Sequence, residues 1–472
     1  LFKYFVYIKI NILYTFTKPN IKTVLMSLRS NQILPQEANQ FQKVQQEANK
    51  FIAGGVVSLN RKVQPHIIFK KGKGSRIFDI NNKEYIDYHS AFAAHLLGHN
   101  NKEVNQAVTR TLKNDHSLIG SGTNHLEIKL AEMMCTLIPS LELVQITNTG
   151  SEGTAHAIRL SRAYTGKEHI ILIAGGYNGW HNDVARKVMP GLKEIGLRKS
   201  PGEYPFLPSS AGIPRSVRSK VHCVNFNDLD SIEYVLKKYP VACVLLEPVL
   251  QNIGIVLPQP GYLEGLIRLC EQYDSVCIFD EVKTGFRSSL RGHQHLEGVK
   301  PHLSVFGKAI ANGYPLGVVG GKKEIMELFD APDPKKKVLI AGTYNAHPLN
   351  VAAAISTLQI LQKPETYEHL DKVCNILYGG LRSLFMEKGI PAIVATNGSA
   401  SCTYFTHKTP LDLHHILTDH DFDFDLKYRK ALIQEGIYLL PVACKQSSVS
   451  YAHSQEDIYQ TLEANKRVLS RL

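Results

Sequence analysis

The sequence predicts an α/β fold: a large domain with a mostly parallel, doubly wound sheet, plus a smaller α+β domain built from both termini. Three observations carry this expectation. The middle of the chain holds short, almost wholly apolar runs, "HIILIAGG", "VACVLLEPV" and "VCIFDEV", as strands buried on both faces require. Helical patterns alternate with these runs, which is the order a parallel sheet imposes. After "PLNVAAAISTLQILQ" the alternation gives way to an α+β mixture that continues to the C-terminus.

Taken in order, the opening "LFKYFVYIKINILYTFTKPNIKTVLM" is basic and free of acids, but it has no serine before Ser27 and no arginine before Arg29. Lys9 interrupts the apolar segment that a secretory signal needs. Residues 1–25 therefore read as translated upstream sequence ahead of a start at Met26, with a targeting segment as the other reading. A polar helical segment then leads to Gly54-Gly55, and "RIFDI" and "EYIDY" read as short strands. These belong to residues 26–89, the N-terminal part of the small domain. The large domain is expected over 90–363. In it "VQITNTG" precedes a helix from about Glu152 to Tyr164, and "VACVLLEPV" precedes "YLEGLIRLCEQY". Residues 364–472 complete the small domain.

Composition narrows the function. The chain has 472 residues, 44% hydrophobic and 20% charged, an ordinary globular balance. Its formal charge of +12 draws on Lys3, Lys9, Lys18, Lys22 and Arg29, all ahead of the first acid, Glu37; without them +7 remains, spread with no long basic block. No nucleic-acid partner is expected. The eight cysteines form no CxxC pair and no metal-ligand spacing, so reduced core thiols, no metal and a cytoplasmic location are expected. No apolar run reaches the ~18–20 residues that span a membrane.

Ligands of doubly wound sheets bind beyond the carboxyl ends of the strands, and the chemically interesting residues fall there. Asn148 to Glu152 form a strand-to-helix junction where Gly150 and Ser151 could cradle a phosphate at the positive helix end, or Ser151 could simply cap the helix. Tyr177, between glycines, could stack on a planar ligand or pack in the core. Asp280 ends an apolar strand and needs a partner, a cap or an ion pair with Arg287 being the ordinary ones. Lys308 follows "LSVF" in a small, apolar run, where an unpaired ammonium is costly unless it is neutralised or used. Neither GxGxxG nor GxxxxGK[ST] occurs. A phosphate cradle, an aromatic platform, a buried carboxylate and a strand-end lysine together are what pyridoxal phosphate requires. Its aldehyde condenses with a lysine amine, and its ring nitrogen needs a carboxylate.

At these residues the sequence resembles the class III (fold type I) pyridoxal-phosphate aminotransferases, and within them the glutamate-1-semialdehyde 2,1-aminomutases and their relatives. "NTGSEGTAHAIRLSRAYTG", "EPVLQN", "FDEVKTGFR", "GKAIANGYPLG" and "AGTYNAHPL" all stand in family order. The resemblance implies that Lys308 bonds the cofactor, Asp280 faces its ring nitrogen, Gly150 and Ser151 hold its phosphate, Tyr177 stacks on its ring and Asn252 lies beside it. It also implies that Thr343 reaches the phosphate of a neighbouring subunit, hence a homodimer with shared active sites. Ser58 and Arg61 in "GGVVSLNR" match a segment whose arginine holds a substrate carboxylate, a role that suits a bidentate guanidinium.

Three departures bear on the substrate. The aminomutase has methionine where this chain has Lys283, histidine where it has Asn178, and an active-site glutamate where an ungapped count places Lys445. Exchanging an acid for a base at Lys445 changes which substrate group is tolerated. The expected function is therefore a class III aminotransferase moving an amino group to or from a small carboxylate-bearing substrate. The alternative is the aminomutase, which returns the amine to the adjacent carbon and gives 5-aminolevulinate. A non-catalytic scaffold on the same fold is disfavoured because Lys308 and Asp280 are both retained.

Overall fold

The computed structural model describes residues 35–472; the expectations for residues 1–25 lie outside the described residues. The described residues divide into two units at Lys62/Val63, residues 35–62 and Val63–Leu472. In the first, helix α1 (Pro35–Phe51) is followed by two single 3-10 turns, Ala53–Gly55 and Leu59–Arg61. Helix α1 stops where Ile52 turns to extended backbone (φ -115°, ψ 121°), and Gly54 and Gly55 in the turn beyond both take positive φ, 77° and 75°.

The second unit holds three sheets. In chain order the strands are β1 (Phe69–Lys73), β2 (Arg76–Asp79), β3 (Glu84–Asp87), β4 (Leu143–Thr147), β5 (His169–Ile173), β6 (Val221–Val224) and β7 (Val241–Leu246). Then come β8 (Val276–Asp280), β9 (Leu303–Gly307), β10 (Gly317–Gly321), β11 (Ile393–Asn397), β12 (Ala400–Tyr404), β13 (Ile437–Tyr438) and β14 (Ser447–Ser448). The main sheet runs β4-β10-β9-β8-β7-β5-β6. Its pairings are parallel except those of β10, which lies antiparallel to both β4 and β9. The α/β fold class read from the sequence is thus the observed one, with one reversed strand.

The apolar runs are explained by what covers them. Along β5, Ile170 and Leu172 join Cys243 and Leu245 of β7 and Ile278 of β8 in one core, against Ala157, Ile158 and Leu160 of helix α2 (Gly150–Thr165). Ile171 and Ile173 point the other way, with Val244, Leu246, Cys277 and Phe279, onto helices α3 (Leu229–Lys238) and α4 (Tyr262–Gln272). The side-chain period of two therefore feeds two cores, so a strand covered on both sides must be apolar at every position. A third core joins Ile146, Phe306 and Val318 to the long apolar helix α5 (Pro348–Leu361).

The two smaller sheets use both ends of this unit. β1, β2 and β3 pair antiparallel in sequence, and β3 then takes β13 as a parallel neighbour, Ile86 opposite Ile437. β11, β12 and β14 form the third sheet. Seven cysteines are buried, Cys135 is partly buried, and none is paired. Among the described residues, no helix is long and apolar enough to cross a membrane.

Candidate active site

The parallel strands end along one edge of the main sheet, and the polar residues gather there. β9 hands the chain to Lys308, whose φ of 48° lies in the left-handed region. Such a conformation is uncommon for a side-chain-bearing residue and needs surrounding support. Asn312 supplies part of it. Its side chain accepts from Leu97 N (2.9 Å) and donates to Gly98 O (3.0 Å), pinning the turn that carries Lys308. Ala309, Ile310 and Ala311 are buried, and Lys308 has no carboxylate within ion-pair distance among the described residues. Burial lowers its pKa below the ordinary lysine value; Asp280 and Glu247 oppose that shift and Arg287 adds to it. The result is an amine more readily neutral than a surface lysine, as a nucleophile or proton carrier needs to be.

Asp280 closes β8 on the adjacent strand and is 3% exposed. It accepts from Asn178 Nδ2 (2.9 Å) and from Val282 N (3.0 Å). Burial, then the nearby Glu247 carboxylate, pushes its pKa up to about 7. A buried carboxylate held by a neutral amide and one backbone N–H calls for a cationic partner. A protonated pyridine nitrogen is such a partner, so the donor set here fits pyridoxal phosphate.

The phosphate end of the site lies at the start of α2. Thr149, rather than Ser151, caps this helix: its Oγ1 accepts from Glu152 N (3.2 Å). Ser151 is thereby left within the first turn, with its hydroxyl making no hydrogen bond among the described residues. Backbone approaches are close on two sides. A Cβ at Gly150 would lie 2.5 Å from Val282 Cγ2, and one at Gly179 (φ 124°) would lie 2.9 Å from Ser151 Oγ. These glycines keep a tight, N–H-lined cradle that side chains would fill.

Tyr177 is partly buried, and its backbone N–H donates to Glu247 Oε1 (2.9 Å). Glu247, 1% exposed at the end of β7, also accepts from Gln251 N (2.9 Å) and Asn252 Nδ2 (2.8 Å). One carboxylate thus fixes both the Tyr177 loop and the Asn252 loop. Lys445 arrives from the C-terminal region, and its Nζ donates to Asn252 O (2.6 Å). Lys283, 7% exposed, donates to Gln251 O (2.7 Å). Burial holds the pKa of both lysines below the ordinary range.

The chain fold therefore brings together Lys308, Asp280, Gly150, Ser151, Tyr177, Asn252 and Lys445. Thr343 instead stands exposed in the loop before α5. Two residues on, Asn345 Oδ1 accepts from Asn148 Nδ2 (3.0 Å), which ties that loop to the start of α2. Ser58 and Arg61 lie in the first unit, Arg61 exposed on its 3-10 turn. Sequence reading passed over Glu247 and the bond from Asn178 to Asp280. Glu247 was findable, since it ends an apolar strand just as Asp280 does. Arg287, the ordinary ion-pair candidate for Asp280, instead donates to Ser399 Oγ (3.1 Å) and Ala93 O (2.6 Å).

A family model described as aminotransferase class-III matches residues 58–467. Among curated proteins, the glutamate-1-semialdehyde 2,1-aminomutase 2 of Brevibacillus brevis is 36% identical over 431 residues, 90% of this chain and 97% of that protein. The glutamate-1-semialdehyde 2,1-aminomutase of Natranaerobius thermophilus is 35% identical, over 91% of this chain and 98% of that one. Among solved structures, an omega-transaminase from Sphaerobacter thermophilus superposes with a TM-score of 0.83 at 27% identity, covering 91% of this chain and 97% of that chain. Because the family match runs through every strand end described above and the relatives align over nearly the whole chain, the protein belongs to the class III aminotransferases, pyridoxal-phosphate-dependent enzymes of fold type I.

Proposed function

We propose that this enzyme is a two-substrate transaminase that moves an amino group between a small carboxylate-bearing amine and an oxo-acid acceptor. The observation that carries the reading is a pair of lysines, the buried Lys283 and the partly buried Lys445, bonded to the carbonyls of Gln251 and Asn252. Family resemblance leads one to expect methionine and glutamate there in an aminomutase. Positive groups in those places favour substrates with negative ones.

Pyridoxal phosphate, when bound, supplies an electron sink conjugated to the carbon that carries the amino group. Asp280 would hold its ring nitrogen, Gly150 and Ser151 its phosphate, Tyr177 and Asn252 its ring. Lys308 Nζ would take the proton from the substrate carbon and return it, for which a lowered pKa is an advantage. Ser58 and Arg61 would hold a substrate carboxylate. Thr343 would reach the phosphate of a second copy, making the active unit a homodimer. The expected small domain, residues 26–89 with 364–472, would flank the large one, 90–363, and the enzyme would work in the cytoplasm.

The aminomutase is the second reading, and the names of the curated relatives favour it over the first. Purified enzyme given glutamate-1-semialdehyde alone separates the two. A transaminase should give little 5-aminolevulinate until an amino donor is added, whereas efficient conversion without a donor makes the aminomutase correct. In the same preparation, borohydride should fix the cofactor onto Lys308, and label on another lysine would overturn the cofactor assignment.

A further inference from the structure

Between Asp87 and Leu96 the backbone changes hand twice. His89 and Ala94 are right-handed, with φ of -86° and -80°, whereas Ser90, Ala91, Phe92 and Ala93 take φ of 50°, 50°, 59° and 73°. None of these four is glycine. Left-handed backbone is unfavourable for each of them, and their alanines favour a right-handed helix. The turn is imposed from outside.

Two buried groups impose it. The Asp87 carboxylate accepts from His89 N (2.8 Å) and Ser90 N (3.1 Å) at its start. Arg287 Nη2 donates to Ala93 O (2.6 Å) at its end. Arg287 is fully buried with no carboxylate within ion-pair distance among the described residues, and its Nε has no hydrogen-bond partner. Burial pulls its pKa down to about 10. For stability alone an apolar side chain of similar volume would serve better, so the guanidinium has to be explained by what it holds. The turn forms one wall of the site: His89, Phe92 and Ala93 pack against Lys283, Lys445 and Gln446, leaving about 10 Å3, room for one water.

We propose that Arg287 is a positioning residue: through Ala93 O it keeps Ser90–Ala93 in the left-handed form that sets His89 and Phe92 against the two lysines. Without that bond the segment relaxes toward right-handed backbone and withdraws from Lys283 and Lys445. The role is the same for a transaminase and for an aminomutase, because it concerns the wall and not the substrate.

Hydrogen exchange, read by mass spectrometry on cofactor-loaded enzyme, tests the role without turnover. Ala93 N donates to His89 O, and Ala94 N and His95 N to Ser90 O (3.1, 2.7 and 3.2 Å); a single turn does not keep such bonds unaided. Arg287→Met should speed exchange over residues 90–97 at least about tenfold, the loss of one charged hydrogen bond, while β8 stays unchanged. Arg287→Lys, which keeps a cationic donor, should stay within about threefold of the unaltered enzyme. Adding Ala91→Gly to Arg287→Met should restore part of the protection. Ala91 is exposed, so glycine there removes no packing and only frees the left-handed backbone. A role of Arg287 in packing alone gives no such rescue. Unchanged exchange in Arg287→Met would overturn the proposal, as would protection that falls further with the added glycine. Should the methionine variant fail to fold, Ala91→Gly alone decides. Its urea midpoint should rise, and a fall, the ordinary effect of glycine, rules out an imposed left-handed turn.

Discussion

Asp280 is a carboxylate placed where charge is unfavourable unless a cation joins it. In cofactor-free protein its pKa near 7 stands above the unfolded value near 4. The folded state therefore holds the proton more tightly, and the stability this contributes is complete below about pH 4 and lost as pH rises through 7. At about 1.4 kcal/mol per unit, the change is on the order of 4 kcal/mol across that window. Urea denaturation of cofactor-free protein at a series of pH values should show it, and Asp280→Asn should flatten the difference. Identical pH dependence in the two proteins would mean that Asp280 titrates normally. With cofactor bound, the same substitution should slow turnover by orders of magnitude, because a neutral ring is a poorer electron sink. At this scale the sequence was legible wherever a polar residue ended an apolar strand, as Lys308 and Asp280 do. It singled out Asn178 but was silent on its bond to Asp280, 102 positions away. The helix cap also slipped by two residues, since Thr149 and Ser151 both carry the required hydroxyl.

Among the elements, the junction of β4 and α2 is the most constrained. Gly150 is a helical residue, and replacing glycine by alanine inside a helix ordinarily stabilises it by about 1 kcal/mol. Here the added Cβ would meet Val282 Cγ2 at 2.5 Å, and Val282 directly follows the loop residue after Asp280. Gly150→Ala should therefore separate these two segments and weaken pyridoxal phosphate affinity about tenfold, with helix content retained. Equilibrium dialysis of the cofactor measures the one and circular dichroism the other; unchanged affinity would show that the cradle tolerates widening. The strands themselves were readable because double coverage removes alternation and leaves unbroken apolar runs. The reversal of β10 was not. "GVVGG" looks alike in either direction, and only its pairing with both Thr147 and Gly307 sets the sense.

For the whole molecule, the exposed Thr343 bears on assembly. If it serves a neighbour's phosphate, Thr343→Ala should raise the cofactor dissociation constant several-fold while light scattering still reports a dimer; an active monomer at assay concentration would contradict shared sites. The pairing of β3 with β13 bears on how the chain is made. Ile86 and Ile437 are 351 positions apart, whereas the last strand of the main sheet ends at Gly321. At 5–20 residues per second, a ribosome needs roughly 20–70 s to cover that interval. Throughout it the open side of β3 has no partner strand, while every strand of the main sheet is already in hand well before the end. An unpaired strand edge invites contact with other nascent chains. Translation speed from the end of β3 at Asp87 to Ile437 thus sets how long that edge stands open to them.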